Sequence, residues 1–358
     1  LKGLRGIFAA GSALVSFAFA AAWYPSGGTM TGRMNPEAAD VRARAGGPPR
    51  PFYLHYQYAS FADDTALYAN AYRSAGESPE EVWGKGPACC AGPAEGRSCS
   101  IRAGTISHHL YIRDLIARYF TGLARRVHPG TIILIGPNHH ARGRSPIAIS
   151  ALRWRTPFGF VEPDTAKIRR IAATGLARVE EEPFVNEHSI GALVPFIRRT
   201  FPGARIVPII YKKTAERRDC VKLARVIAEE TGDALVLASL DFSHYKISRQ
   251  AEEEDRASLR VLRSLAGDEV DEAFVDSRPA LLTLISLCRI IGAGSVEVIQ
   301  HTNSGILSHD PAVACTSYIN TYIEEGGKTE AREGTPPAMR SFQKRGNQSI
   351  VQDRRGHE

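Results

Sequence analysis

The chain lacks the common phosphate-binding loops. It contains neither G-x-x-x-x-G-K-S/T nor G-x-G-x-x-G, which sets aside the usual nucleotide and dinucleotide folds. The G-x-S-x-G elbow of many hydrolases and the H-E-x-x-H helix of zinc proteases are also missing. No basic run is interleaved with aromatics. The formal net charge of +7 comes from scattered arginines and a basic tail, so nucleic acid is not an expected partner. No internal repeat stands out, and no apolar run reaches the ~20 residues that a membrane span needs. What is present is ordinary for a globular protein. The chain has 358 residues, 43% of them hydrophobic, enough for a substantial core.

Both ends depart from that average. Lys2 and Arg5 precede an apolar run over residues 7–22 that is broken only by Gly11, Ser12 and Ser16. A basic start, an apolar centre and a small-residue end read as an export signal or an N-terminal membrane anchor. The competing reading is a buried first strand. The first reading places the protein outside the cytoplasm, in a periplasm-like compartment. Residues 23–100 form an irregular, Gly/Pro-rich extension, within which 50–75 are expected to pack on the main domain and 64–74 to form a short helix. Residues 324–358 are polar and rich in Gly, Pro and Arg, and read as a disordered tail. Cys89, Cys90 and Cys99 crowd one segment. A bridge from Cys89 or Cys90 to Cys99 suits an oxidising compartment, with free thiols or a zinc cluster as the other readings. Cys288 lies in an apolar helical pattern and reads as core.

Between residues 101 and 323 the pattern alternates. Strands are expected over 101–106, 131–135, 204–211, 234–240 and 295–301. Helices are expected over 110–127, 165–174, 190–200, 219–229, 250–265 and 279–290. This repetition predicts an α/β fold with a single central, mainly parallel sheet flanked by helices.

Open α/β sheets bind ligands beyond the carboxyl ends of their strands. Seven of the 11 histidines fall at such exits or at a helix start. His108 and His109 follow the first strand, and Asn138, His139 and His140 the second. Asp241 and His244 follow the 234–240 strand, and His301 ends the last. Glu187 and His188 open a helix, and Asp276 precedes another. Neutral imidazoles suit Fe, Zn, Cu and Ni, and a carboxylate is the usual third ligand of non-haem iron. Taken singly, each histidine also reads as a hydrogen-bonded structural residue. Ser189, Ser239 and Ser243 keep a metal-free hydrolase open as an alternative.

The segments IILIGPNHH, ALRWRTPFGF, NEHSIGALVPFI, LVLASLDFSHY, HTNSGIL and TSYINTY resemble the Memo family, whose bacterial members are called AmmeMemoRadiSam system protein B. The likeness runs from about residue 101 to 322, with a weaker stretch at 22–25. It implies the fold of class III extradiol dioxygenases and a cleft with two histidines and a third ligand. The family's Pro-His-Ala-Gly-Tyr motif matches residues 107–111 and gives His108. Its Gly-Pro-x-His-His motif gives His139. Its Cys-Gly-Arg-x-Pro motif matches 275–279, where no cysteine stands and Asp276 is the nearest chemical replacement. Asp241 and His244 match a Ser-Asp-Phe-x-His segment with Leu240 in place of serine. Glu187 and His188 match Glu-His-Ser-Ile, whose later histidine is Leu193 here.

The resulting expectation is a mononuclear divalent-metal site of His108, His139 and Asp276, with Fe(II) first and Cu or Zn next. His244, His188, Asp241 and Glu187 are the expected catalytic residues, with His188 or His244 as acid/base and Asp241 able to orient an imidazole, and His109, His140, Asn138 and His301 belong to the surrounding cleft. A non-haem-iron dioxygenase-like or other metal-dependent enzyme is one reading. A protein that binds a metal, a small molecule or a peptide without turnover is the other. The resemblance also offers a cytoplasmic location, as for typical family members.

Overall fold

Four almost wholly buried strands make the centre of the molecule. The computed structural model describes residues 53–55, 65–76, 101–232 and 234–326. In chain order its elements are β1 (Tyr53–His55), α1 (Thr65–Ser74), β2 (Ile101–Ile106), α2 (Arg113–Ala124), β3 (Thr131–Pro137), β4 (Ile147–Ile149), β5 (Arg153–Thr156), β6 (Gly159–Val161), α3 (Thr165–Ala173) and β7 (Arg178–Val179). There follow α4 (His188–Gly191), α5 (Val194–Thr200), β8 (Arg205–Tyr211), α6 (Arg217–Glu230), β9 (Ala234–Ser239), β10 (Phe242–Lys246), α7 (Ser248–Ser264), α8 (Arg278–Ile290), β11 (Ala293–Asn303), α9 (Ser304–Leu307) and β12 (Cys315–Glu325).

The large sheet has the order β10-β12-β2-β9-β3-β8-β4-β7, with β11 also on β12. Its centre, β2-β9-β3-β8, is parallel. The flanks are not: β12 runs antiparallel to β2, β10 and β11, and β4 antiparallel to β8. The α/β fold is as expected, with a central sheet that is parallel at its middle and mixed at its flanks. A separate small sheet joins β1, β5 and β6.

Strand periodicity explains the two-sided core. In β3, Ile133 and Ile135 enter one apolar cluster, and Ile132 and Leu134 the other. In β9, Val236 and Ala238 face one side, and Leu235 and Leu237 the other. One face is covered by α3, α6, α7 and α8. On α6, Cys220, Leu223, Ala224 and Ile227 repeat at helical spacing and are buried. The other face is covered by α1, α2 and α5, where Phe120 stacks on Phe196 with ring centroids 6.0 Å apart. Tyr72 of α1 joins this layer through its hydroxyl, 2.6 Å from Thr200 Oγ1. Four helix starts among the described residues are capped by side chains: Asp164 accepts from Lys167 N, Glu187 from Ser189 N, Ser277 from Ala280 N and Asn303 from Ile306 N.

β12 was hidden by its polar residues. Asn320 and Thr321 are fully buried in it, so no clean apolar pattern shows. Cross-strand hydrogen bonds satisfy them: Ser107 N donates to Asn320 Oδ1 at 2.7 Å, and Thr105 and Thr321 hydroxyls meet at 2.9 Å. β12 reaches Glu325, two residues beyond the expected domain end. The single helix expected over 190–200 is two helices, with Pro195 in the first turn of the second.

The membrane expectation is corrected. Among the described residues no helix is long and apolar enough to cross a membrane. Attachment through residues 1–22, and the exported or periplasmic placement that rested on it, therefore find no support and are not retained. Residues 1–22 lie outside the described residues, as do Cys89, Cys90 and Cys99 and the tail beyond Gly326.

Candidate metal centre

The parallel strands deliver their exits to one edge of the sheet. Ile106 pairs with Ser239, and Ile135 with Ala238. Two residues beyond the ends of β2, β9 and β3 stand His108, Asp241 and His139. Because β9 lies between β2 and β3, Asp241 leaves the sheet between the two histidines. His188 arrives from the other side, at the first position of α4. Asn186, two residues earlier, takes φ +64°, a left-handed conformation that asparagine tolerates and that turns the chain into the site.

The ligand atoms of His108, His139 and His188 all lie within 4.8 Å of one another. The His139 and His188 rings stack at 3.8 Å, and His108 meets both edge-on at 5.1 Å. His108 forms the floor, with 1% of its side chain exposed. His139 and His188 face the opening, at 25% and 24%. Asp276 Oδ2 lies 3.5 Å from His108 Nε2 and 3.9 Å from His139 Nε2, and Asp241 Oδ2 lies 3.5 Å from His108 Nε2. Asp241 and Asp276 are tied to each other. Asp241 N donates to Asp276 Oδ2, and Asp276 N to the Asp241 carbonyl, both at 3.1 Å. Asp276 Oδ1 is buried with no hydrogen-bond partner.

Glu187 holds His139 firmly. Its Oε1 accepts from His139 Nδ1 at 2.7 Å, and its Oε2 from His139 N at 2.8 Å. Oε1 also caps α4 by accepting from Ser189 N at 2.9 Å. With Nδ1–H donating to Glu187, the neutral form of His139 presents an Nε2 lone pair toward Asp276. Burial works to raise the Glu187 carboxyl, but the hydrogen bond and charge of His139 outweigh it and hold Glu187 below the usual carboxylate range. Burial likewise pulls His139 down, and Glu187 more than offsets it, so His139 sits above its ordinary value.

The other groups shift by burial. It brings His108 and His188 well below the ordinary imidazole value, helped by the neighbouring imidazoles. It pushes Asp276 well above the ordinary carboxyl value, reinforced by the charge of Asp241. His108 and His188 are thus neutral near pH 7 and fit to bind a metal. A buried carboxylate whose Oδ2 lies 3.5 and 3.9 Å from two imidazole nitrogens, and whose Oδ1 has no hydrogen-bond partner, fits a bound cation.

The remaining expected residues distribute around this cluster. His244 is part-buried on β10, lowered by burial and within reach of the charges of Asp241, His139, His109 and Lys213. His109 is exposed, and its Nδ1 lies 2.7 Å from the Tyr318 hydroxyl, a contact that β12 supplies and the sequence pattern missed. Asn138 shapes the loop instead, exchanging hydrogen bonds with the Arg142 backbone at 2.9 and 3.1 Å. His140 is exposed. His301 belongs elsewhere, with Nε2 2.9 Å from Asp255 Oδ2. Ser189, Ser239 and Ser243 are buried. Their hydroxyls lie 2.8 Å from the Pro137 carbonyl, 2.5 Å from the Ser189 carbonyl and 2.9 Å from Asp255 Oδ1, which leaves no exposed serine nucleophile among the three.

Comparison with known proteins identifies the family. A family model described as Memo-like protein matches residues 91–319. A MEMO1 family protein of Caldivirga maquilingensis is 30% identical over 209 residues, covering 55% of this chain and 73% of that one. One from Methanothermobacter thermautotrophicus is 29% identical over 234 residues, covering 61% and 83%. One from Aquifex aeolicus is 29% identical over 196 residues, covering 51% and 71%. A solved structure of an uncharacterized Escherichia coli K12 protein aligns at TM-score 0.42 and 13% identity, over 63% of this chain and all of that one. The family model spans most of the body that carries the three-histidine cluster, and the chain belongs to the Memo-like protein family.

Proposed function

We propose that the protein binds one divalent transition-metal ion at His108, His139 and His188, with Asp276 as the adjoining carboxylate, and that metal binding is its primary biochemical property. The observation that supports this best is the convergence of three imidazoles from two strand exits and a helix start, within 4.8 Å. Three neutral imidazoles suit Fe(II), Zn(II) and Cu(II) alike. A bound ion supplies Lewis acidity, and for iron or copper redox capacity, to a ligand in its remaining positions. His139 and His188 leave the site accessible on their solvent side, and a small-molecule or peptide ligand reaches the centre there.

Anaerobic calorimetric titration of the metal-free chain with Fe(II), Zn(II) and Cu(II) tests this reading. One equivalent taken up tightly supports it, and no saturable site for any of the three overturns it.

A metal-dependent, dioxygenase-like enzyme is the second reading. It is favoured by Asp276 lying against both His108 and His139, which completes a two-histidine, one-carboxylate set. In it His244 and Asp241 bind and orient the substrate, with His244 moving a proton at its imidazole. Iron-dependent oxygen uptake with a chelating substrate, lost in His244→Gln, supports it. Iron-loaded protein that consumes no oxygen over a broad panel of chelating substrates leaves the non-catalytic reading standing.

A further inference from the structure

His108 carries its ring through a contact that reaches the centre only indirectly. Its Nδ1 lies 3.0 Å from Ser239 Oγ, and Ser239 Oγ lies 2.5 Å from the backbone carbonyl of Ser189. His108, Ser189 and Ser239 are all buried, so water does not compete. A carbonyl oxygen only accepts, and serine has one hydroxyl proton. That proton must lie between Ser239 and Ser189, because without it two oxygens would face each other at 2.5 Å. The Ser239 oxygen is then an acceptor toward His108, and Nδ1 carries the imidazole proton. Nε2 is left with its lone pair.

This outcome runs against the local electrostatics. His108 Nε2 faces Asp241 Oδ2 and Asp276 Oδ2, each at 3.5 Å. Those carboxylates favour a proton on Nε2, the tautomer that cannot bind a metal there. We propose that Ser239 is the positioning residue that fixes His108 as its Nδ1–H tautomer and keeps the Nε2 lone pair aimed into the centre. The purpose of the device rests on the metal-centre reading, while its geometry does not.

The device is anchored on three elements. Ser239 ends β9, His108 follows β2, and Ser189 belongs to α4. The Ser189 hydroxyl is held 2.8 Å from the Pro137 carbonyl, and its N–H by Glu187 Oε1. Gly136 makes room for this. A Cβ there would come within 3.1 Å of Ser189 Cβ and Oγ. The His108 backbone is fixed as well, its N–H donating to Asp241 Oδ1 at 3.2 Å. The acceptor that sets the tautomer is thus itself immobile.

The test is long-range proton–nitrogen NMR of the full, metal-free chain with ¹⁵N-labelled histidine, together with Zn(II) titration. Wild type is expected to show a protonated Nδ1 and a pyridine-like Nε2 at His108. Ser239→Ala is expected to move the proton toward Nε2 and to weaken Zn(II) binding about 10–100-fold, and Ser239→Thr to restore both. A wild-type His108 protonated at Nε2 overturns the proposal without any variant. So does Ser239→Ala that keeps both the wild-type tautomer and affinity. Wild type that takes up no Zn(II) but is protonated at Nδ1 sinks the metal reading while the positioning role stands.

Discussion

Glu187 grips His139 at two points, through the ring Nδ1 at 2.7 Å and the backbone N–H at 2.8 Å, while fully buried itself. A carboxylate behind an imidazole fixes the ring and raises its basicity toward a metal. Glu187→Gln keeps the shape and one acceptor oxygen but removes the charge. Its metal affinity is expected to fall about 10-fold, and that of Glu187→Ala nearer 100-fold. Calorimetric titration checks this, and equal affinities in all three proteins contradict it.

Metal uptake is expected to release protons near neutrality. Burial lowers His108 and His188, which are already neutral at pH 7, but His139 sits above its ordinary value and Asp276 well above its own. The raised His139 carries part of a proton that the metal must displace, so affinity rises as pH climbs through the histidine range. Titrations in buffers of different ionisation enthalpy measure the flux. A net uptake of protons sinks the assignment.

The metal-free chain adds a stability test with a definite sign. A histidine with a lowered folded value binds its proton on unfolding, so it costs stability as pH falls below about 6.5. His188 is such a group. His188→Gln is expected to lose less stability than wild type between pH 7 and 5 in urea titrations. An equal or greater loss contradicts the shift.

Much of this architecture was legible in the sequence, and the exceptions have physical causes. The runs that became β3, β8 and β9 are apolar on both faces, so length and branching identify them. The exit positions of His108, His139 and Asp241 follow from those strands. β12 escaped because its buried Asn320 and Thr321 are satisfied across strands, by Ser107 N, Gln300 and Thr105, rather than by local neighbours. The tertiary role of His188 escaped for a similar reason. Its neighbour Glu187 is adjacent in sequence, but the stacking on His139 depends on how α4 docks under β3.

That docking is itself testable. Gly136→Ala places a methyl within 3.1 Å of Ser189. Overpacking of this kind costs about 1–3 kcal/mol, and here it moves the helix that carries His188. The variant is expected to fold less stably and to bind metal more weakly than wild type. By contrast, Ile135→Ala opens a cavity in the core one residue away and is expected to cost about 2–5 kcal/mol while largely sparing affinity. Equal effects of the two variants on affinity contradict the coupling.

The most direct measurement is elemental analysis of the reconstituted full chain beside His108→Ala, His139→Ala, His188→Ala and Asp276→Ala. One transition-metal ion per wild-type chain is expected, with little or none retained by the three histidine variants and weakened retention by Asp276→Ala. Stoichiometric metal in every histidine variant, or none in wild type, contradicts the metal centre described above.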